Sequence, residues 1–445
     1  MRKRILLTAV TAIMLCAFAS CSDDDNPIAV SGVTLDKETL ELTVGKTGQL
    51  VATVTPDNAA DRTVTWKSSA EAVATVTSDG LVTALTAGQT TITATASGKT
   101  ATCTVTVTPT VYMSGIYQTD PTDIFTHQGA YWTNGVRTVL ALPADATGNN
   151  YANGIAVSDG KVYVSGNYND GTNMHLGYWT DNTYNGLEVA VEAADNLING
   201  IAAAGGTVYT VGYCKAADGN KYGYCWKGNA GEKLPLPDGA TSSYAAAVTV
   251  SGGKAYISGT YDAGSGQKNC YWADGTFIPL NQPADANNAS AGDITVSGGK
   301  VYCLGTYTSD GNDYYCYWAD GTQTPLAKPA DAEMGFDAFS IAADGGNVYV
   351  AGKVWVSAFP YVQYACLWTD NVPAALPVPE GVTFSIALYV TVHDGKVCVA
   401  GAYAKDGKRY TCYWIDGTRG GDTVTELPDG AGEINYPSAK MTLVW

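Results

Sequence analysis

The chain has 445 residues, of which 46% are hydrophobic and 15% charged, with a formal net charge of −17. That acidic balance argues against nucleic acid and anionic lipid surfaces as partners. The length accommodates more than one domain.

The N-terminus carries an export signal. Arg2, Lys3 and Arg4 form a basic start, and an apolar run follows from Ile5 to about Phe18. Such a run is too short to span a bilayer as a mature helix. Ala19 and Ser20 then precede Cys21. This segment resembles the lipobox of bacterial lipoproteins, which implies a signal peptide over 1–20 and lipid on Cys21. Phe18 departs from the usual Leu of that motif. The following "SDDDN" resembles the acidic signal that sends Bacteroidota lipoproteins to the outer cell surface. Residues 21–29 are then the lipidated Cys and an acidic linker. The implied place is the outer membrane, held by lipid rather than by an amphipathic helix and facing the cell exterior. Removal of the three basic residues takes the charge from −17 to −20.

Residues 30–108 read as a first module. Short segments such as "GVTL", "LELTV", "VTWKS" and "TTITATA" alternate apolar and polar residues between turn residues. That is the pattern of a β-sandwich. Trp66 stands where a core-anchoring Trp is expected. The wording "VTWKSS", "VATV" and "LVTA" resembles the bacterial Ig-like group 2 domain, found in surface adhesins and as a spacer. No binding motif stands out in it, so the spacer role is expected.

Residues 110–445 repeat. Trp132, Trp179, Trp226, Trp272, Trp318, Trp368 and Trp414 align at spacings of 47, 47, 46, 46, 50 and 46. A period of this length with four strand signals per unit predicts a β-propeller. Each repeat then supplies strands a to d in chain order. In the second, strand a is "GIAV", strand b "KVYVSGNY", strand c ends in "GYW" and strand d is "LEVAV". "GIAVSDGKVYVSGNY" resembles the bacterial seven-bladed propeller repeat. The first repeat opens on a strand b, "VYMSGIY", and the chain finishes on "YPSAKMTLVW", which reads as a strand a. The last strand is therefore expected to complete the first sheet and close the ring. The fold class is all-β, an Ig-like sandwich followed by a seven-bladed propeller.

The repeated residues read as scaffold. Two and three positions after each Trp stand pairs such as Asn134-Gly135, Asp181-Asn182, Gly228-Asn229, Asp274-Gly275 and Asp416-Gly417. These favour two-residue hairpins of type I′, with positive φ at both positions. The Trp residues are expected to pack between neighbouring sheets. Cys270, Cys316, Cys366 and Cys412, each two before a Trp, act as compact apolar fillers. Eleven cysteines, less Cys16 in the signal and Cys21, leave nine, so at least one is unpaired. A disulfide such as Cys214–Cys225 across a hairpin fits the spacing without being required by it. No C-x-x-C or calcium loop is present, and no metal or cofactor is expected.

The a–b and c–d turns are uniform, whereas the b–c and d–a loops vary. The variable side is the expected binding face. Tyr151, Tyr244, Phe336, Phe384 and Tyr436 fall just before the inner strands, near the expected channel mouth. Trp355, Phe359 and Tyr361 lie in the sixth b–c tip. Asp293 and Asp337 stand near the same mouth as acceptors for sugar hydroxyls. The leading expectation is a non-enzymatic surface lipoprotein binding a glycan or a surface protein. The alternatives are a glycoside-cleaving propeller, with Asp293 and Asp337 as its two carboxylates, or a purely structural envelope platform. His127, His175 and His393 fall in different repeats, and neither a G-x-S-x-G nor an H-E-x-x-H motif appears.

Overall fold

A computed structural model describes residues 27–118, 127–189 (except 145 and 148), 196–416 (except 265, 359, 360, 394 and 407), 424–426 and 441–444. The expected signal segment and Cys21 lie outside these residues. The chain divides into two compact units, Met1–Thr108 and Pro109–Trp445.

The first unit is built from nine strands, β1 (Gly32–Leu35), β2 (Thr39–Thr43), β3 (Thr47–Gln49), β4 (Ala52–Thr55), β5 (Thr65–Ser68), β6 (Ala74–Val76), β7 (Leu81–Ala84), β8 (Gly88–Ala96) and β9 (Lys99–Thr108). They form three sheets, β1-β4, β2-β9-β8-β5 and β3-β7-β6, with β2 parallel to β9. In β8 and β9 the burial alternates residue by residue, as a sheet with one face on a core requires. Leu50, Val82, Ile92, Cys103 and Val105 form that core. Trp66 is half-buried and packs against two apolar clusters, so it joins them rather than filling the centre of one.

The second unit holds seven four-stranded antiparallel meanders, numbered units 1 to 7 in chain order, with the sixth and seventh joined into one eight-stranded sheet. In unit 2 the strands are a (Asn150–Ser158), b (Lys161–Asn169), c (Met174–Thr180) and d (Thr183–Gly186). The other complete meanders occupy 197–233, 243–279, 287–325, 335–375 and 384–426. Unit 1 has strands b to d from Thr110–Gln118, His127–Thr133 and Val136–Val139. Its fourth strand is Met441–Val444, which pairs with Thr110–Gln118 in the register Thr110↔Val444. One parallel bridge, Gln363↔Phe384, joins the sheets of units 6 and 7.

The turn chemistry follows the sequence. Asn134-Gly135, Asp181-Asn182, Asp274-Gly275, Asp320-Gly321 and Asp370-Asn371 all have positive φ at both positions. Gly228-Asn229 differs, because Gly228 alone has positive φ, 60°. That pair forms the II′ variant, which needs glycine only at its first position. The Asp of the turn has a second role. Its Oδ1 accepts the backbone amide of the second residue of strand b, as in Val162 to Asp181 (3.1 Å), Val301 to Asp320 (3.0 Å) and Val348 to Asp370 (2.8 Å).

Each Trp is at most 2% exposed. Its ring rests over the glycine of its own strand b, where a Cβ on Gly352 would meet Trp368 at 3.0 Å and collide with the Asp337 carbonyl. In six of the seven the indole N–H reaches the preceding unit, while Trp132 Nε1 is buried without a partner among the described residues. Trp179 donates to the Ala141 carbonyl (2.6 Å), Trp272 to Pro235 (2.7 Å), Trp318 to Asn281 (2.7 Å) and Trp414 to Pro377 (2.6 Å). The apolar clusters accordingly span pairs of units. One joins Ala351 and Leu367 of unit 6 to Val399 and Trp414 of unit 7, and another joins Ala400 of unit 7 to Val111 and Trp132 of unit 1. Burying one such ring contributes at most ~4–6 kcal/mol before entropy.

None of the nine cysteines among the described residues forms a disulfide. The Cys214–Cys225 disulfide is ruled out by register, since Cys214 sits opposite Tyr222 and Cys225 opposite Val211.

Candidate functional site

The first strands of the meanders share a β-bulge. The register shifts between Ala152 and Gly154, Ile198 and Gly200, Ala245 and Ala247, Ala291 and Ile294, Ala338 and Ser340, and Ala387 and Tyr389. A bulge inserts residues that have no partner in the ladder and re-aims their side chains. The inserted residues are Asn153, Asn199, Ala246, Gly292 with Asp293, Phe339 and Leu388. This column varies from unit to unit, while the residue before it is Ala in five of the six.

Two cavities lie along these strands. The first, about 250 Å³, is lined by Asn199, Tyr244, Asp293, Phe339, Leu388 and Tyr389 among others, at the N-terminal ends of strands a. The second, about 210 Å³, is lined by later residues of the same strands, including Thr249, Thr295, Thr391 and again Asp293 and Tyr389. Asp293 is the one charged side chain among the described residues lining either cavity.

A hydrogen-bond chain fixes Asp293 across three units. Its Oδ2 accepts the Ser340 hydroxyl (2.7 Å) and the Ile341 amide (3.4 Å), and Oδ1 accepts its neighbour Ile294 (3.0 Å). Ser340 Oγ in turn accepts the Val390 amide (3.2 Å). Burial, and then the charge of Asp293, push the Tyr389 phenol well above its ordinary range. Both effects disfavour a phenolate.

Asp337, the second predicted carboxylate, is absent from the described linings of both cavities and heads a separate cluster. It accepts the Tyr315 hydroxyl (2.7 Å), the Trp355 indole N–H (3.1 Å) and Lys353 Nζ (3.3 Å). Lys353 Nζ also stands 4.2 Å from the Trp355 ring and 5.7 Å from that of Phe339, which lines the first cavity. Burial, followed by the hydrogen bond and charge of Asp337, raises the Tyr315 phenol. The cluster offers an indole face, an ammonium and a carboxylate side by side.

The predicted aromatics occupy different registers. Tyr151 and Tyr244 sit one residue before the position opposite the strand-b glycine, where unit 6 has Asp337. Tyr244 lines the first cavity and packs on Tyr213 at 5.2 Å. Phe336 is one residue earlier, and a one-residue step changes the face of a strand. Its ring packs on Tyr315 (4.8 Å) and Trp368 (5.3 Å) in the apolar core. Units 2, 4 and 7 use Asn150, Ser243 and Ser385 there to accept a backbone amide of strand c. Phe384 lies a further residue out and is half-buried. Tyr361 opens strand c of unit 6, paired with Ala358. Phe359 and Tyr436 lie outside the described residues. Sequence reasoning missed Lys353, Tyr315, Phe339 and Tyr389. The variable bulge column marks Phe339, but Lys353 and Tyr315 come from other strands.

Known proteins resemble parts of the chain. An uncharacterized protein of Clostridium acetobutylicum is 31% identical over 166 residues, 35% of this chain and 17% of that protein. A 3-O-alpha-D-galactosyl-alpha-L-arabinofuranosidase of Bifidobacterium longum subsp. longum is 49% identical over 77 residues, 16% of this chain and 7% of the enzyme. The chain thus spans under a fifth of either relative. A polysaccharide lyase of family PL25, an ulvan lyase, superposes with a TM-score of 0.39 at 12% identity, over 61% of this chain and 81% of the lyase. That overlap carries no argument about function. Residues 29–110 match the bacterial Ig-like domain (group 2), and the first unit is an Ig-like domain of that kind.

Proposed function

We propose that the chain is a non-enzymatic surface lipoprotein whose second unit closes into a seven-bladed β-propeller and binds a glycan. The Ig-like domain is its spacer, and lipid on Cys21 holds it to the outer membrane. The seven meanders, the pairing of Met441–Val444 with the first sheet and the packing of unit 7 on unit 1 support ring closure. The cluster of Asp337, Lys353, Trp355 and Tyr315 carries the binding reading. An indole face stacks on the apolar face of a sugar ring, and the paired acceptor and donor match its hydroxyls. A glycan array probed with the full chain tests it. Binding that falls at least tenfold in Trp355→Ala and Asp337→Asn is expected; binding unchanged in both overturns it.

Cleavage is the second reading, motivated by the printed activity of the arabinofuranosidase relative. Glycosidases of the usual kinds need two carboxylates about 5–10 Å apart on one site. Asp337 is engaged with Lys353 away from the described cavity linings that hold Asp293, which favours binding over cleavage. Release of reducing sugar from a bound glycan, lost in Asp293→Asn, would reverse that order. A third role, as a structural envelope platform, would appear as co-purifying envelope protein with no glycan bound.

A further inference from the structure

Asp293 is not accounted for by the glycan reading. It faces both cavities, and its hydrogen-bond partners among the described residues are neutral: a hydroxyl and two amides. No Lys, Arg or His of the described residues forms an ion pair with it. Lys353, the cation near Phe339, is instead held by Asp337. Asp293 is half-buried, and a cleft whose charged lining has a single sign focuses its field on counter-ions.

The surroundings indicate which cation. Tyr244, Phe339 and Tyr389 line the cavity around Asp293, and aromatic faces attract cations through their quadrupole. Ala246, Ala247, Leu388 and Gly292 leave apolar wall beside them. A carboxylate accepts about four hydrogen bonds in all, and Asp293 has three contacts, one of them long at 3.4 Å. The net charge of −17 draws cations toward the protein as a whole. We propose that the cavity is a binding site for a primary alkylammonium ion. Its N–H groups bond Asp293, and its alkyl chain lies against Phe339 and Tyr244. The proposal is independent of the glycan reading.

Calorimetric titration of the full chain with butylammonium chloride tests it, with the neutral alcohol 1-pentanol, one methylene longer, and potassium chloride as controls. Butylammonium is expected to bind at least tenfold more tightly than 1-pentanol. Asp293→Asn should weaken it at least tenfold and Phe339→Ala severalfold. Equal binding of 1-pentanol, full displacement by equimolar potassium, or unchanged affinity in Asp293→Asn overturns the proposal. Should Asp293→Asn not fold, the comparison of butylammonium with 1-pentanol on the wild type decides alone.

Discussion

Trp272→Phe probes the linkage between neighbouring meanders. The indole is 0% exposed and donates to the Pro235 carbonyl of unit 3 at 2.7 Å. Its ring also fills the space above Gly259 and packs against Phe277 at 6.1 Å. Phenylalanine removes the N–H and part of the ring. Pro235 is exposed, so its carbonyl turns to water once the indole is gone. The lost hydrogen bond therefore costs about 0.5–1.5 kcal/mol rather than a full desolvation penalty. The partly emptied site adds about 1–2 kcal/mol, below the 3–5 kcal/mol typical of a truncation to alanine. The total is about 1.5–3.5 kcal/mol. Urea unfolding followed by far-UV circular dichroism measures it, with a lower midpoint expected at unchanged slope. A cost below about 0.5 kcal/mol would show that the indole neither fills nor links the interface, and would refute the reasoning.

Four more outcomes follow from the geometry. Gly352→Ala drives a methyl into the Asp337 carbonyl and to 3.0 Å from Trp368, and should cost at least about 1–3 kcal/mol in the same unfolding assay. Gly299→Ala, in a turn at φ 80° with open space around it, should cost only about 1 kcal/mol. Burial pushes the Cys225 and Cys366 thiols up to about 12, so native protein at pH 8 should react with a disulfide reagent at these positions only after denaturation. Rapid labelling of either in the folded state would contradict this. Asp170 is held down at about 2 from a usual 3.8 by its hydrogen bond to His175 at 2.8 Å and by the Asn173 and Thr172 amides. A depressed carboxylate contributes stability that is complete above its unfolded value and lost as pH falls toward 2. NMR of the Asp170 carboxyl carbon should show a midpoint near 2, and a midpoint near 3.8 would refute the contact.

Local chemistry accounts for most of what was legible. A positive φ at two successive positions is decided by the two residues that adopt it, so Asp274-Gly275 announces its hairpin from sequence alone. The Gly228-Asn229 pair departs for the same local reason, since a leading glycine serves the II′ turn. The strand signal of "MTLV" is likewise local, and its pairing with Thr110–Gln118 follows from the first meander's lack of a strand a. The site was less legible. Trp355 was found because it lies outside the repeat position and Asp337 by its place near the strand-a entry, but Lys353 and Tyr315 join them only through pairing and packing between units 5 and 6. Phe336 was grouped with Tyr151 and Tyr244 on position alone, and one residue of register sends it into the core.

The sequence by itself determined an all-β chain of an Ig-like domain and a repeating unit, with the turns, the Trp spacing and the closing strand already written in it. These are properties of short stretches and of periodicity. The tertiary structure decided which groups meet. The bulges place Asp293 between two cavities, bring Ser340 to it from a second meander and let Ser340 accept the Val390 amide from a third. Register keeps Cys214 and Cys225 apart. The Trp indoles reach carbonyls some forty residues earlier, a distance no local rule spans. Such contacts depend on how one sheet packs on the next, and each involves residues whose own neighbours in sequence carry no sign of the partner.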